Sequence, residues 1–166
     1  MACGWSKYSL GGKVFYIVAI GDGRLEELLL REESSPDCAG DDNMMKVAEL
    51  ARRWILEGNV SAVDIGPNAT PFQRKVYEAI SKIPKGSVST YSSVAKAIGC
   101  KGSRAVGQAL KKNSIPLFIP CHRVVRKDGS LGGFECGPDI KEQILRKEGI
   151  RITNGKVDPS QIIYDL

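Results

Sequence analysis

Histidine is almost missing from this chain: 166 residues contain one, His122. Its five cysteines, Cys3, Cys38, Cys100, Cys121 and Cys136, are odd in number and include no Cys-x-x-Cys pair. The lack of clustered histidines and paired cysteines argues against a zinc knuckle, and the odd count argues against a full disulfide framework, leaving at least one thiol free. Spacing does not say whether Cys38 and Cys100 pair. No run reaches the roughly 18 to 20 uninterrupted apolar residues of a membrane helix, and the N-terminus lacks a basic flank ahead of an apolar signal core. The expectation is therefore a cytoplasmic protein, nuclear in a eukaryote, with no membrane partner. A nucleotide-binding loop, an internal repeat and a low-complexity tract are also absent, so neither cofactor nor metal is expected.

What is present describes a globular chain, 42% hydrophobic and 26% charged, sufficient for one ordinary domain or two small ones. Charge is unevenly placed. Residues 1–65 hold seven Lys and Arg against eleven Asp and Glu, net −4; residues 66–166 hold seventeen against eight, net +9, and the two sum to the chain's +5. The second part is the expected polyanion binder. Composition breaks around Gly58 to Thr70, where Gly66, Pro67, Asn68 and Pro71 suggest a connector, which predicts units over 1–65 and 66–166.

In the first unit, Val14 to Ile20 is β-rich, Leu25 to Glu32 suggests a second strand, and Asn43 to Leu56 carries apolar residues at helical spacing. A small sheet with one helix fits a scaffold. The second unit reads as helical. Thr70-Pro71 opens a helix that Pro84 and Gly86 end. Thr90 suits the N-cap of a helix from Tyr91 to Ile98, and Ser103 that of another from Arg104 to Lys112. Two short helices joined by a tight turn make a helix-turn-helix candidate. The expected class is α+β: a sheet-plus-helix unit followed by a mainly helical, winged-helix-like one.

The chemistry concentrates at Pro120-Cys121-His122-Arg123-Val124. A cysteine behind the apolar run Ile115 to Ile119 is by default a core residue. Beside the lone imidazole it is also a candidate nucleophile, whose thiol pKa would have to be lowered from roughly 8.5 by a base or a positive charge. A helix from Pro138 to Gly149 puts Ile140, Ile144 and Glu148 at i, i+4 and i+8, which sets a carboxylate in line with the buried row. At a helix C-terminus an unpaired acid is penalised by the macrodipole as well as by burial. Glu148 either stays in water on a fraying turn or accepts a proton from His122 and fixes its tautomer.

Together with Ser103-Arg104-Ala105-Val106-Gly107, Asn113-Ser114-Ile115-Pro116 and Gly129-Ser130-Leu131-Gly132-Gly133-Phe134, this motif resembles the O6-alkylguanine-DNA alkyltransferases, over roughly Pro71 to Gly149. The resemblance implies a suicide repair protein, acting as a monomer on double-stranded DNA, that takes an alkyl group from O6 of guanine, and less readily from O4 of thymine. It implies Cys121 as acceptor, His122 as a base working through water, Glu148 as the acid orienting that base, Asn113 as a hinge and Tyr91 as proton donor to the departing guanine. Arg104 would enter the base stack from the minor groove, with Ser103, Ala105, Gly107, Tyr91, Ser92 and Lys127 along the DNA. Pro116, Val124, Phe134 and Glu135 would line the base pocket. Glu135 departs from the pattern, a carboxylate standing where a small hydroxyl is usual, which implies altered tolerance for bulky alkyl groups. Two other readings stay open: a non-catalytic sensor of alkylated bases, and a Cys-His hydrolase of small acyl substrates.

Overall fold

The computed structural model describes residues 1–32, 38–57 and 68–166. They form two compact units, Met1–Asn68 with Ser114–Phe118, and Ala69–Asn113 with Ile119–Leu166. Of the connector read at Gly58 to Thr70, positions 58–67, and with them the expected boundary at 65/66, lie outside the described residues. No described helix is long and apolar enough to cross a membrane. The mixed α and β class expected from sequence is what the chain adopts.

The first unit is an antiparallel meander of β1 (Ala2–Leu10), β2 (Lys13–Gly21) and β3 (Leu25–Arg31), in that order, with α1 (Asp42–Glu57) packed on it. β1 was not anticipated, because its Cys-Gly-Trp-Ser-Lys-Tyr-Ser run mixes small and polar residues; pairing with β2 along its whole length supplies what local propensity does not. Gly4 lets α1 approach, since a Cβ there would lie 2.1 Å from the Met45 amide nitrogen. Ile17, Ala19, Leu25, Leu28, Ala48 and Ala51 are buried between sheet and helix. Asp41 caps α1 through Oδ1, which accepts from Asn43 N at 3.0 Å and Met44 N at 3.1 Å. Cys3 and Cys38, 6.2 Å apart at Cα, form a disulfide, so the partner of Cys38 is Cys3; Cys100, Cys121 and Cys136 are not in disulfides. The segment Ser114–Phe118, expected within the C-terminal unit, packs with the first, where the Ser114 carbonyl accepts from Leu28 N at 2.8 Å and so gives an acceptor to a donor on edge strand β3.

The second unit contains α2 (Pro71–Ser81), α3 (Tyr91–Ala97), α4 (Ser103–Lys111) and α5 (Pro138–Lys147). Thr70 and Gln73 form a reciprocal capping box at α2, and the Thr90 side chain accepts from Ser93 N at α3. The α4 cap differs from expectation: Gly102 is the N-cap, and Ser103 is already the first helical residue and caps nothing. The unit is also less purely helical than its periodicity suggests. A parallel sheet orders β5 (Val124–Val125), β4 (Val88–Thr90) and β8 (Ile162–Ile163), and β6 (Ile152–Thr153) pairs with β7 (Lys156–Val157). Strands this short leave no period to read, and only their long-range pairing defines them. Val88, Val125, Leu131, Leu145, Ile150, Ile152, Val157 and Ile162 form one apolar cluster beside them.

Candidate active site

Cys121, His122 and Arg123 form one 3-10 turn that leads directly into β5. This turn, and not an extended strand, sets the relation of Cys121 to His122. Cys121 N donates to the Ile119 carbonyl at 2.8 Å. Its sulfur accepts from Asn113 Nδ2 at 3.2 Å, and the same amide donates to the Ile119 carbonyl at 3.1 Å. Asn113, just past the end of α4, thereby ties that helix to the nucleophile turn.

Burial raises the Cys121 thiol above its ordinary pKa; the Asn113 hydrogen bond and the positive charge of Lys141 oppose this, and the charge of Glu135 adds to it. The resting sulfur is therefore a thiol, contrary to the expectation of a lowered pKa. His122 is fully buried, and burial pushes its pKa down, with Glu148 pulling the other way and Arg123 and Lys141 lowering it further. The resting ring is neutral, which is the form that can take a proton.

Glu148, C-cap of α5, continues the Ile140–Ile144 row as its spacing predicted, and is buried. Burial alone would raise its pKa, but hydrogen bonds from His122 and Arg123 outweigh that and hold the carboxyl at about 2. An ionised carboxylate only accepts, so the 3.0 Å contact between His122 Nε2 and Glu148 Oε1 fixes the proton on Nε2. That leaves Nδ1, itself buried, as the basic nitrogen of the ring.

Two side chains that the sequence reading passed over belong to this site. Arg123 grips Glu148 as a fork, Nε to Oε2 at 3.0 Å and Nη2 to Oε1 at 2.8 Å. Lys141 is fully buried and donates to the carbonyls of Val124 at 2.6 Å and Leu131 at 2.5 Å; burial lowers its pKa to about 8, against the pull of Cys121. A signal for Lys141 was available. It falls four residues before Leu145, on the face of α5 that Ile140 and Ile144 also bury. A lysine on that stripe must find acceptors.

Tyr91 opens α3, half-buried, and burial and the neighbouring Cys121 raise its phenol pKa, which keeps it a donor at neutral pH. Its hydroxyl lies 3.2 Å from where a Cβ on Gly132 would stand, and Gly132 has φ +74°, so this close approach requires glycine. The helices α3 and α4 pack together, burying Val94, Ala95, Val106, Ala109 and Leu110. Ser92, Ser103, Arg104 and Ala105 remain exposed, Gly107 is half-buried beside the Tyr91 ring, and Lys127 is exposed in the loop after β5. Val124 is buried, Phe134 half-buried and Glu135 exposed, all in the second unit, whereas Pro116 is buried in the first. Among the described residues no group of three or more His, Cys, Asp or Glu could hold a metal ion.

A buried thiol with an amide donor, next to a neutral imidazole oriented by an ionised carboxylate, defines the class of cysteine-nucleophile proteins, here on an α+β frame carrying a pair of short helices. The pattern described as 6-O-methylguanine DNA methyltransferase, DNA binding domain, matches residues 71–150. The methylated-DNA–protein-cysteine methyltransferase of Methanothermobacter thermautotrophicus is 36% identical over 146 residues, 81% of this chain and 80% of that protein. The chain belongs to this methyltransferase family. In solved structures it is similar to Mycobacterium tuberculosis OGT in complex with DNA, with TM-score 0.74, 27% identity, and coverage of 89% of this chain and 92% of that one. S. pombe Atl1 in complex with damaged DNA containing O6-carboxymethylguanine matches at TM-score 0.50 and 32% identity, over 55% of this chain and 94% of that one.

Proposed function

We propose that the protein repairs alkylated DNA by moving an alkyl group from O6 of guanine, and less readily from O4 of thymine, onto Cys121, once per molecule. The observation that carries this reading is the Cys121 thiol, held by Asn113 and followed in the same turn by a His122 that Glu148 fixes with Nδ1 basic. In the transfer, His122 takes the thiol proton through a water, sulfur bonds to the alkyl carbon, and the C–O6 bond breaks with its electron pair passing to the guanine. Tyr91 supplies the departing base with a proton, and the proton held by His122 restores the phenol. The products are an S-alkyl cysteine and an unmodified guanine, with no cofactor.

A stacked O6 carbon is closed to in-line attack, so the nucleotide must leave the duplex at a cost of a few kcal/mol. The exposed Arg104 at the start of α4 suits insertion into the vacated stack, with Ala105 and Gly107 small enough for close contact with the minor-groove floor. In this reading α3 and α4 act as a helix-turn-helix in a winged-helix-like unit, and Ser92, Ser103 and Lys127 meet phosphates. Val124, Phe134 and Glu135 line the base pocket, and the chain works as a monomer.

The test is mass spectrometry of the intact chain after incubation with a duplex carrying O6-methylguanine. One methyl per chain on Cys121, and none in Cys121→Ser, is expected. Continued turnover, or no methylated protein, overturns the proposal; turnover of small acyl esters without DNA would point to a hydrolase.

A further inference from the structure

The Glu148 carboxylate has more partners than an orienting acid needs. Oε1 accepts from His122 Nε2 at 3.0 Å and from Arg123 Nη2 at 2.8 Å, while Oε2 accepts from Arg123 Nε at 3.0 Å. The guanidinium's third arm, Nη1, donates to the Ile83 carbonyl at 2.7 Å, just beyond α2. Both side chains are out of water, at 7% exposure for Arg123 and 2% for Glu148. A guanidinium keeps its proton in proteins, so a permanent positive charge adjoins the carboxylate.

A base must be neutral to work. Had the buried Glu148 anion no counterion but the imidazole, its pull toward an imidazolium would be opposed by burial but by no charge on the turn, because an opposite charge at this range stabilises the charged ring. An imidazolium cannot take the Cys121 proton.

We propose that Arg123 is a positioning residue for the transfer: it carries the countercharge of Glu148, so that the carboxylate can orient the His122 ring through Nε2–H without holding a second proton on it. The charged and titratable groups on the turn and on the elements packed against it bear on this balance. From α5 come Glu148 and Lys141, and from the 3-10 turn Arg123 and Cys121. From α2, which packs on that turn, comes Tyr77, whose phenol feels Cys121. Among these groups Glu148 draws a proton onto the ring, while Arg123 and Lys141 repel one. Lys141 cannot stand in for Arg123, since its ammonium is committed to the Val124 and Leu131 carbonyls. For its consequence in catalysis the inference rests on the alkyl-transfer reading; its electrostatic content does not.

With one histidine in the chain, long-range proton–nitrogen NMR of the full-length protein reports the tautomer and titration of His122 without ambiguity. Wild type, Arg123→Met and Arg123→Lys are compared, together with the pH dependence of methyl transfer to each from an O6-methylguanine duplex. The expected wild-type ring is neutral at pH 7 and carries its proton on Nε2. In Arg123→Met the ring titrates about one unit higher or more, and the acid limb of the transfer rate moves with it, roughly a tenfold loss on that limb. Arg123→Lys keeps both near wild type, which a purely architectural role for the fork would not. An unmoved ring in Arg123→Met, or an equal shift in Arg123→Lys, overturns the proposal. Should Arg123→Met not fold, the double variant Arg123→Met/Glu148→Gln, which removes the two opposing charges together, should titrate within about half a unit of a folded Arg123→Lys, and titration more than about one unit below it, the sign of a Glu148 pull that Arg123 does not offset, overturns the proposal. Wild-type protein that takes no methyl while its ring behaves as expected counts against the transfer reading and in favour of the charge role.

Discussion

Replacing Glu148 by glutamine keeps the side chain's size and removes the one negative charge around which His122 and Arg123 are arranged. The carboxyl is held at about 2 against an ordinary 4.5, about two and a half units, which at 1.36 kcal/mol per unit is about 3 kcal/mol of stability. With the side chain 2% exposed, solvent screening takes little of this away. A similar magnitude follows from the other partner, since removing one member of a buried ion pair strands the second at a cost of roughly 3 to 5 kcal/mol. The pH dependence has a definite sign. Because the folded state lowers the pKa, it holds this proton less readily than the unfolded chain, so the stabilisation is complete above about 4.5 and is lost as pH falls toward about 2. Urea unfolding of wild type and Glu148→Gln at pH 7, 5 and 3 measures it. The variant should be about 3 kcal/mol less stable at pH 7 and at pH 5, with the gap closing visibly at pH 3. A difference under about 1 kcal/mol at pH 7, or one that does not shrink on acidification, would refute the assignment of Glu148 as an ionised, paired acid.

Gly132→Ala should cost about 1 to 2 kcal/mol, because φ +74° strains any side chain and the new Cβ would sit 3.2 Å from the Tyr91 hydroxyl; an unchanged thermal midpoint would show that the phenol gives way freely. In the proposed function Glu135, an exposed carboxylate, belongs to the lining of the base pocket, so Glu135→Ser should change the ratio of benzyl to methyl transfer while leaving methyl transfer in place. Equal ratios in the two proteins would remove Glu135 from the specificity argument.

The helical parts of the second unit were legible because their signals are local. Thr70 with Pro71, Thr90 ahead of Tyr91, and Pro138 with Gly149 mark ends through caps and backbone preferences that act within a turn. The same logic misjudged α4 by one residue, since Gly102 and Ser103 both suit a cap and the local pattern does not choose between them. β1 and the β5-β4-β8 sheet were missed for the opposite reason: their residues are unremarkable one by one, and pairing partners far along the chain, such as Val88 with Ile162, define them.

By itself the sequence determined the chemical inventory and its spacing: one imidazole beside one cysteine, an acid in register with a buried helical stripe, and a pair of short helices carrying arginine and lysine. Adjacency and a 3.6-residue period suffice for that, because both are properties of the chain alone. The state of those groups was decided by tertiary structure. Cys121 is a thiol and His122 a neutral imidazole because both are removed from water, Glu148 is ionised because His122 and Arg123 reach it across 26 and 25 positions of sequence, and Lys141 is held between two carbonyls. Desolvation and charge act through space, and no pattern along the chain records which residues the fold will enclose together.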